Sequence, residues 1–231
     1  YSPYIPWYNT AVIEVDDDTI ANGEALAALS KGYQAIFFYK TDNSSKSNPA
    51  ILLKDIDTSI APIYTINFVL DIIPAGASII DCNNIIDATG LKNIGGYPAL
   101  EVARIAYDLH AIFSKNMAKN ILVFTAVDSN FLIETAKIRA IRYICKSLAK
   151  IYNYDTAIQI FATNSTINKT EVDTENNIIR GTIETLAAVL GGVDGFVSNI
   201  KVNNDDTFNK RIGCNIQHLL YHESDIGKNL N

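Results

Sequence analysis

The stretch of sequence that decides the fold is Asn120–Thr163, NILVFTAVDSNFLIETAKIRAIRYICKSLAKIYNYDTAIQIFAT. It opens with Asn120–Ala126, a nearly continuous apolar run that is typical of a strand buried on both faces. Apolar residues then recur every three or four positions, which predicts a long helix over Phe131–Tyr152. A second strand is predicted over Thr156–Thr163. A strand, a helix and a strand of these lengths predict a βαβ unit and therefore a parallel sheet.

The same alternation extends in both directions along the chain. It predicts further strands at Ala11–Val15, Gln34–Tyr39, Ala61–Asn67, Ser78–Cys82 and Gly195–Asn199, and further helices at Thr19–Leu29, Pro98–Ser114, Thr174–Leu190 and Thr207–Tyr221. Right-handed crossovers between about seven strands allow an open doubly wound sheet or a (β/α) barrel. No G-x-G-x-x-G or P-loop motif follows any of these strands, which disfavours a nucleotide-binding open sheet. The predicted fold class is α/β.

On each of the three long central helices, one apolar face is expected to pack against the sheet. The expected inward residues are Val102, Ala106, Leu109 and Phe113 on the first helix, Ile133, Ala136, Ala140, Ile144, Leu148 and Ile151 on the second, and Ile179, Ile183, Leu186 and Leu190 on the third. The pair Gly191-Gly192 is expected to end the third helix.

Composition excludes several classes of partner. The chain has 231 residues and a net charge of -6, whereas a nucleic-acid-binding protein needs a basic face. No apolar run approaches the ~20 residues of a membrane-spanning helix, so no membrane partner is expected. The three cysteines, Cys82, Cys145 and Cys214, are far apart in sequence, which fits a reducing, cytoplasmic location. One domain is predicted over residues 1–231.

Two groups of residues could hold a metal ion. His218 and His222 are spaced to share one helix face, but the sequence suggests no third ligand, and two polar residues near a helix end are favoured. Asp16–Asp18 could bind magnesium, although capping of the following helix is favoured. Asp205, before the last helix, is expected to be a cap as well.

The N-terminus carries several aromatic side chains and two prolines, at Tyr1, Pro3, Tyr4, Pro6, Trp7 and Tyr8. Residues 1–10 are therefore predicted to form an arm that lies across the body of the protein or against a partner.

The second half of the chain contains a set of distinctive motifs: Asn130–Arg142 (NFLIETAKIRAIR), Asn176–Ala188 (NNIIRGTIETLAA), Asn164–Asp173 (NSTINKTEVD), Arg211–Ser224, and Gly95-Gly96 through Glu101. With these motifs the chain resembles the methylmalonyl-CoA mutase family. The resemblance spans about residues 7–226 and is specific from about residue 84 onward. It implies a (β/α) TIM-type barrel with acyl-CoA along its axis and adenosylcobalamin in a separate C-terminal domain. The run Asp108–Phe113 does not match the cobalamin-binding D-x-H-x-x-G, because Phe113 replaces the glycine.

The chain departs from the family where the catalytic subunits hold their substrate. The positions that match the family's site are Thr89, Gly90, Asn93, Asn120, Leu122, Phe161 and Thr163, and the glutamate expected after the next strand falls near Asn203. The resemblance implies a Tyr-His pair at 89–90, Arg and Ser at 120 and 122, and His and Gln at 161 and 163. The residues present cannot together polarise a thioester carbonyl and clamp a carboxylate.

These departures, with motifs similar to those of the small subunits, imply a β-type, non-catalytic subunit that is inactive alone. It is expected to form a heterodimer with a large catalytic subunit that carries adenosylcobalamin and interconverts methylmalonyl-CoA and succinyl-CoA. No catalytic, cofactor-binding or metal-binding residue is expected in this chain. The connection over residues 68–76 is shorter than the family's, and the chain stops where the family continues. We therefore expect a shortened barrel with fewer than eight strands, cut from a longer subunit, without a cobalamin-binding domain.

Two alternatives remain open. The chain could be a barrel enzyme that acts on another acyl-CoA or small acid, with Asp81, Asp128, Asn164 and Asn199 at the carboxyl ends of strands. It could also be a structural barrel without a partner or a ligand.

Overall fold

A computed structural model describes residues 7–41, 47–66, 79–82, 84–115, 120–155, 158–224 and 226. The strands of this part of the chain are β1 (Tyr8–Glu14), β2 (Ala35–Tyr39), β3 (Ile63–Ile66), β4 (Ile79–Asp81), β5 (Asn84–Asp87), β6 (Ile121–Val127), β7 (Gln159–Asn164) and β8 (Gly195–Val197). The helices are α1 (Asp18–Ser30), α2 (Pro49–Leu52), α3 (Thr89–Asn93), α4 (Pro98–Ser114), α5 (Phe131–Ile151), α6 (Asn176–Gly191) and α7 (Asp206–His222).

The chain divides into two compact units, one of residues 8–83 and one of residues 1–7 with 84–231. Strand order is β4-β3-β2-β1 in the first unit and β8-β7-β6-β5 in the second. Within each unit the paired strands run parallel. Parallel strands that alternate with helices confirm the α/β class and the (β/α) order of a shortened TIM-type barrel. The single domain predicted over residues 1–231 stays a prediction.

The described residues hold eight strands, so the prediction of fewer than eight is wrong on this count. The missed strand is β5, which consists of four residues, Asn84–Asp87. It follows β4 after only two residues, and no helix separates the two strands in sequence. A prediction that relied on one helix between successive strands could not find it.

The first unit has an apolar core and one buried carboxamide. Its buried apolar residues include Ile13, Ile36, Phe38, Leu52 and Ile63. The carboxamide of Asn22, on α1, donates hydrogen bonds to the carbonyls of Leu52 and Lys54, each at 2.9 Å. These bonds satisfy both amide hydrogens and fix α1 to the end of α2.

The prediction that Asp16–Asp18 cap the following helix is confirmed for Asp17. Its carboxylate accepts the backbone N–H groups of Thr19 at 2.8 Å and Ile20 at 3.0 Å, as an N-cap does. Asp18 accepts the N–H of Asn48 at 2.7 Å. Asp205 caps α7 in the same way, through the N–H groups of residues 207 and 208.

The N-terminal arm is shorter than predicted. Residues 8–10 belong to β1 because they pair with β2, with Thr10 opposite Ala35, and residues 1–6 lie outside the described part. Trp7 is buried, and its indole Nε1 donates to Oε1 of Gln217 at 3.2 Å. Its ring meets that of Tyr221 edge to face, with centroids 5.7 Å apart. The prediction that the arm packs on the body therefore holds for Trp7, which lies against α7.

The buried faces of the long helices were predicted in part. On α4, Leu109 and Phe113 are buried as predicted, but Ile133, Ile151 and Ile179 on α5 and α6 are exposed, with 49%, 70% and 62% of their surfaces accessible. The buried faces include Glu101, Ile105, Leu109 and Phe113 on α4, Glu134, Lys137, Ile138, Ile141 and Cys145 on α5, and Asn177, Gly181, Glu184 and Thr185 on α6. Each helix thus packs with a charged side chain against the sheet.

Helix α6 ends as expected, because Gly192 adopts a left-handed conformation (φ 90°) and its N–H bonds to the carbonyls of residues 188 and 189. In the part of the chain that the structure describes, no helix combines the length and the apolarity that crossing a membrane would require.

Candidate functional site

A row of alternating buried charges links α4 and α5 to strand β6. The ammonium group of Lys137 lies 3.0 Å from Oε2 of Glu101 and 2.6 Å from Oε2 of Glu134, and all three side chains are fully buried. Lys137 also donates to the carbonyl of Ala126. The hydroxyl of Thr125 donates to Glu101 at 2.8 Å. Mutual pairing of this kind is what allows charges to remain inside a protein.

Lys92 extends this row to the carboxyl end of β6. Its Nζ lies 2.7 Å from Oε1 of Glu134 and 2.6 Å from Oδ2 of Asp128. Oδ1 of Asp128 accepts the N–H of Asn130 at 2.8 Å, immediately before α5. The first residue after β6 is therefore fixed to both α3 and α5. We call Glu101, Lys137, Glu134, Lys92 and Asp128 the ionic row.

The environment shifts the pKa values of these groups in different directions. Burial raises the pKa of Glu101, against the opposing effect of Lys137. Burial alone would raise the pKa of Asp128, but hydrogen bonds from Lys92 and from the Asn130 N–H outweigh it and lower the pKa. For Lys92, burial acts to lower the pKa, and the hydrogen bonds to Asp128 and Glu134 raise it overall. The ionised pair Lys92–Asp128 is thus the stabilised form at the carboxyl end of β6.

Glu184, on α6, is the centre of a second polar cluster. Its two oxygens lie 2.6 and 2.7 Å from Nζ of Lys169, and the amides of Asn168 and Asn164 donate to it at 2.7 and 2.8 Å. Asn164 ends β7, and its Oδ1 accepts the N–H of Asn199, just after β8, at 2.8 Å. Burial raises the pKa of Glu184 and lowers that of Lys169. One buried carboxylate thereby organises the ends of two neighbouring strands.

Asn177, in the first turn of α6, joins the loops that follow β7 and β8. Its carboxamide nitrogen donates to the carbonyls of Thr170 at 2.9 Å and Lys201 at 2.8 Å. Its oxygen accepts the N–H of Thr170 and a guanidinium N–H of Arg180, both at 3.0 Å. The two loops are therefore held at a fixed separation by one side chain.

A cleft of about 510 Å³ opens between these two loops. Most of the residues that line it have polar side chains, among them Lys169, Lys201, Asn199 and Asn203. Because the cleft lies at the carboxyl ends of β7 and β8, it occupies the side of the fold where enzymes with TIM-type folds hold their ligands. It is the candidate binding site of this unit.

The two faces of the β6–β7 pair have different chemistry. Val123 and Ile160 belong to the core shared with the helices, and strand alternation places Thr125 and Asn164 on that same side. Leu122, Phe124 and Phe161 then lie on the opposite side. Phe161 is fully buried, and a Cβ added at Gly195, its partner in β8, would overlap its ring.

The structure separates the predicted site positions on β6 and β7. Asn120 is exposed and directly precedes β6, and Leu122 pairs with Gln159 at the start of β7. Thr163 pairs with Ala126 near the other end of β6, four residues further on, or about 13 Å at the rise of a strand. Asn120 and Leu122 thus lie at the amino end of the strands, away from the cleft.

The predicted positions after β5 lie on the short helix α3. The N–H and hydroxyl of Thr89 both donate to Oδ1 of Asp87, at 2.8 and 2.7 Å, and Gly90 is exposed. Oδ1 of Asn93 accepts the N–H of Thr166 at 3.0 Å and the hydroxyl of Ser165 at 3.3 Å. Only Asn93 of these three is therefore bonded to the loop that lines the cleft.

The residues of the alternative enzyme hypothesis have mostly structural partners. The side chains of Asp128 and Asn164 bond to Lys92 and Glu184, and Asn199 contributes its side chain to the cleft. Asp81 ends β4, in the other unit. The second unit therefore leaves only Asn199 of this set available to a ligand.

The described residues contain no group of three or more His, Cys, Asp or Glu side chains that could hold a metal ion. His218 and His222 do share a face of α7, with parallel rings whose centroids are 5.8 Å apart. His110 lies within α4 and shares a 2.6 Å hydrogen bond with the hydroxyl of Tyr152. Phe113, at the position of the cobalamin motif's glycine, is buried. The residues of this run do not fit a cobalamin site.

Periodicity alone missed the ionic row and the Glu184 cluster. A polarity rule assigns Glu101, Lys137 and Glu184 to the solvent-facing side of their helices. The sequence did offer one indication that these residues are buried, because most of them lie in the motifs that carry the family resemblance. Those motifs thus mark buried hydrogen-bonding positions.

Comparison with known proteins connects this arrangement to one family. The model of the family described as methylmalonyl-CoA mutase matches residues 106–230, more than half of the chain. A methylmalonyl-CoA mutase small subunit of Porphyromonas gingivalis is 31% identical over 122 residues, which cover 49% of this chain and 20% of that protein. A methylmalonyl-CoA mutase of Rhizobium meliloti is 30% identical over 122 residues, covering 49% and 17%. A probable mitochondrial methylmalonyl-CoA mutase of Caenorhabditis elegans is 32% identical over 117 residues, covering 47% and 16%.

The chain belongs to the methylmalonyl-CoA mutase family, as its motifs predicted. The matched segment contains β6 to α7 and therefore the cleft, the Glu184 cluster and part of the ionic row. The aligned part spans a fifth or less of the length of these curated relatives.

Proposed function

We propose that this chain acts as a small, non-catalytic subunit of an adenosylcobalamin-dependent methylmalonyl-CoA mutase. The observation that carries the proposal is the contrast between the two faces of β6 and β7. The polar residues of the family motifs bond to one another on the helix side, whereas Leu122 and Phe161 stand at positions where the resemblance implies substrate-binding groups. An apolar, filled face offers nothing that could polarise a thioester or clamp a carboxylate.

The seven positions Thr89, Gly90, Asn93, Asn120, Leu122, Phe161 and Thr163 are, in this proposal, remnants of the family's site. Three findings agree with that reading. Asn120 and Leu122 lie at the amino end of the strands, the Thr89 hydroxyl is bonded to Asp87, and the ring of Phe161 occupies the space over Gly195. Rearranging these side chains would not restore a cationic or acid–base group.

The partner in this proposal is a large catalytic subunit that forms a heterodimer with this chain and carries adenosylcobalamin. One of the similar proteins is named as a small subunit, which supports such an assembly. The run around His110 does not fit cobalamin, so the cofactor is assigned to the partner, which would also perform the isomerisation of methylmalonyl-CoA and succinyl-CoA. We assign the complex to the cytoplasm, because three buried cysteines that form no disulfide fit a reducing compartment.

Within the complex the chain would supply a rigid surface. The ionic row and the Glu184 cluster fix α3, α5 and α6 to the strand ends, so that the loops facing a partner are held in position before binding. Preorganised loops reduce the entropy cost of association.

The proposal is tested by co-expressing the full chain with a large, adenosylcobalamin-binding mutase subunit from the same organism. We expect the two to co-elute as a heterodimer, and mutase activity to require the large subunit and to survive Phe161→Leu in the small one. Isothermal titration of the chain alone is expected to show methylmalonyl-CoA binding no more tightly than free coenzyme A, because the acyl group finds no partner. Failure to co-elute, or isomerisation by the isolated chain, would refute the proposal.

A further inference from the structure

The cleft between the loops after β7 and β8 has the size of a small-molecule site. Its volume of about 510 Å³ falls inside the range of roughly 300–1,000 Å³ that ligand pockets occupy. Its walls do not depend on ligand for their shape, because Asn177 bonds both loops and Glu184 bonds the end of β7. The site is therefore formed in advance.

Several donors point to an acceptor-rich ligand. Five of the residues that line the cleft have side chains that make no hydrogen bond or ion pair with any other described residue: Thr166, Thr174, Asn199, Asn204 and Lys201. They offer hydroxyl, carboxamide and ammonium donors together. Val202 is the one apolar residue among those that line the cleft, and the carbon atoms of the polar side chains supply the rest of its apolar surface. This donor set suits a ligand whose surface is covered with oxygen acceptors.

The charges around the cleft favour an anion. Lys169 and Lys201 line it, and Arg180 is held behind it by Asn177 at 3.0 Å. Glu171 is the one carboxylate among the lining residues, and Glu184 pairs with Lys169 from behind. The lining itself therefore carries two lysines and one glutamate, a formal charge of +1, on a chain whose net charge is -6. A positive concavity on an acidic protein concentrates small anions.

We propose that this cleft binds a small phosphate monoester. In TIM-type folds the phosphate group of a ligand is frequently held by the loops after the seventh and eighth strands, and here those loops form the cleft. Lys201 and the unused hydroxyl and amide donors hold the phosphate oxygens, and the rest of the cleft holds the organic part. The proposal goes beyond the subunit role and does not depend on it.

The test is isothermal titration calorimetry of the full chain with four ligands in separate experiments: glycerol 3-phosphate, inorganic phosphate, glycerol and acetate. We expect saturable binding of the ester in about the millimolar range or tighter, weaker binding of inorganic phosphate, and none of glycerol. Lys201→Gln should weaken ester binding about tenfold, because it removes a charge-assisted hydrogen bond. Glu171→Gln should strengthen it about twofold, because it removes a like charge from the lining.

The matched control is Lys146→Gln, which removes the same charge from an exposed position on α5 and should leave binding unchanged. Equal weakening by Lys146→Gln and Lys201→Gln would show a nonspecific effect of net charge and would overturn the proposal. So would the absence of saturable ester binding, or acetate binding as tightly as the ester. Circular dichroism of each variant verifies that the fold is retained.

Discussion

The two faces of the β6–β7 pair differ in the kind of side chain that they bury. On the side of the helices, Thr125 and Asn164 contact buried carboxylates, and each carboxylate is neutralised by a lysine. On the other side, Leu122 and Phe161 are apolar and buried. The difference shows that polar residues of a family motif can serve the interior of the fold, so that their retention is not evidence of catalysis.

This comparison also separates two ways of stabilising a buried surface. Burying the charges of the ionic row costs hydration free energy, and the ion pairs offset this cost only while every partner is in place. The apolar face gains from burial and depends on close packing instead. The two faces should therefore fail in different ways when single side chains are changed.

The largest effect is expected from Lys137→Met, which leaves Glu101 and Glu134 buried without their shared cation. We expect the free energy of unfolding to fall by about 3–5 kcal/mol, the typical result of breaking a buried ion pair from one side. Urea denaturation followed by circular dichroism measures it. Lys146→Met, on the exposed side of the same helix, should change stability by less than about 0.5 kcal/mol. Equal effects of the two variants would contradict the buried row.

Helix and strand positions could be predicted from the sequence, but the rotation of α5 and α6 could not. A buried strand can be recognised from its sequence, since Ile121–Val127 is almost entirely apolar. The long helices carry apolar residues on two sides, and Ile133 and Ile179 lie on the side that the structure exposes. The side of α5 that packs on the sheet carries Ile138 and Ile141 and also pairs Lys137 with the distant Glu101. Sequence spacing contains no information about such pairs.

The candidate site was predictable only in part for a similar reason. Resemblance to the family identified the Asn164–Asp173 loop and Glu184 as a set, without giving them a role. The cleft depends on how Asn177 connects this loop to the one after β8, which are separated by about 30 residues in the chain. The spacing of apolar residues along the chain does not predict the long-range hydrogen bonds of a single carboxamide.

On the apolar face, Gly195→Ala should destabilise the protein by about 1–3 kcal/mol, the usual cost of overpacking. The added methyl group would overlap the ring of Phe161, which has no room to move in a fully buried position. Thermal unfolding detects the change. The double variant Phe161→Leu with Gly195→Ala should be more stable than Gly195→Ala alone, and equal stability would show that Phe161 does not fill this space.

Acid should weaken the ionic row at Asp128. Its pKa is lowered from 3.8 in the folded protein, so its contribution is present above the unfolded value and is lost as the pH falls through the folded value. Asp128→Asn is expected to cost about 1–2 kcal/mol at neutral pH and less at pH values below 3.8. Urea denaturation at a series of pH values measures this. Asp206→Asn, at an exposed ion pair, should leave the profile unchanged.

The most direct comparison of the faces comes from one substitution at two sites, of which the second should have the smallest effect. Thr125→Val removes the 2.8 Å hydrogen bond to Glu101 and should cost about 1–2 kcal/mol. Thr163→Val, on the other face, should be close to neutral, because the Thr163 hydroxyl bonds to no other described residue. Both variants are measured by urea denaturation. A cost at Thr163 as large as that at Thr125 would show that the faces do not differ as described.

Trp7 gives this protein a built-in optical reporter. It is the sole tryptophan of the sequence, and its indole meets Gln217, 210 residues away along the chain. The contact therefore exists only when the two ends of this long loop are held together, which an unfolded chain does at an entropic cost. The fluorescence of the single indole reports whether residue 7 is packed against α7, and its shift to longer wavelength on unfolding marks the loss of this contact.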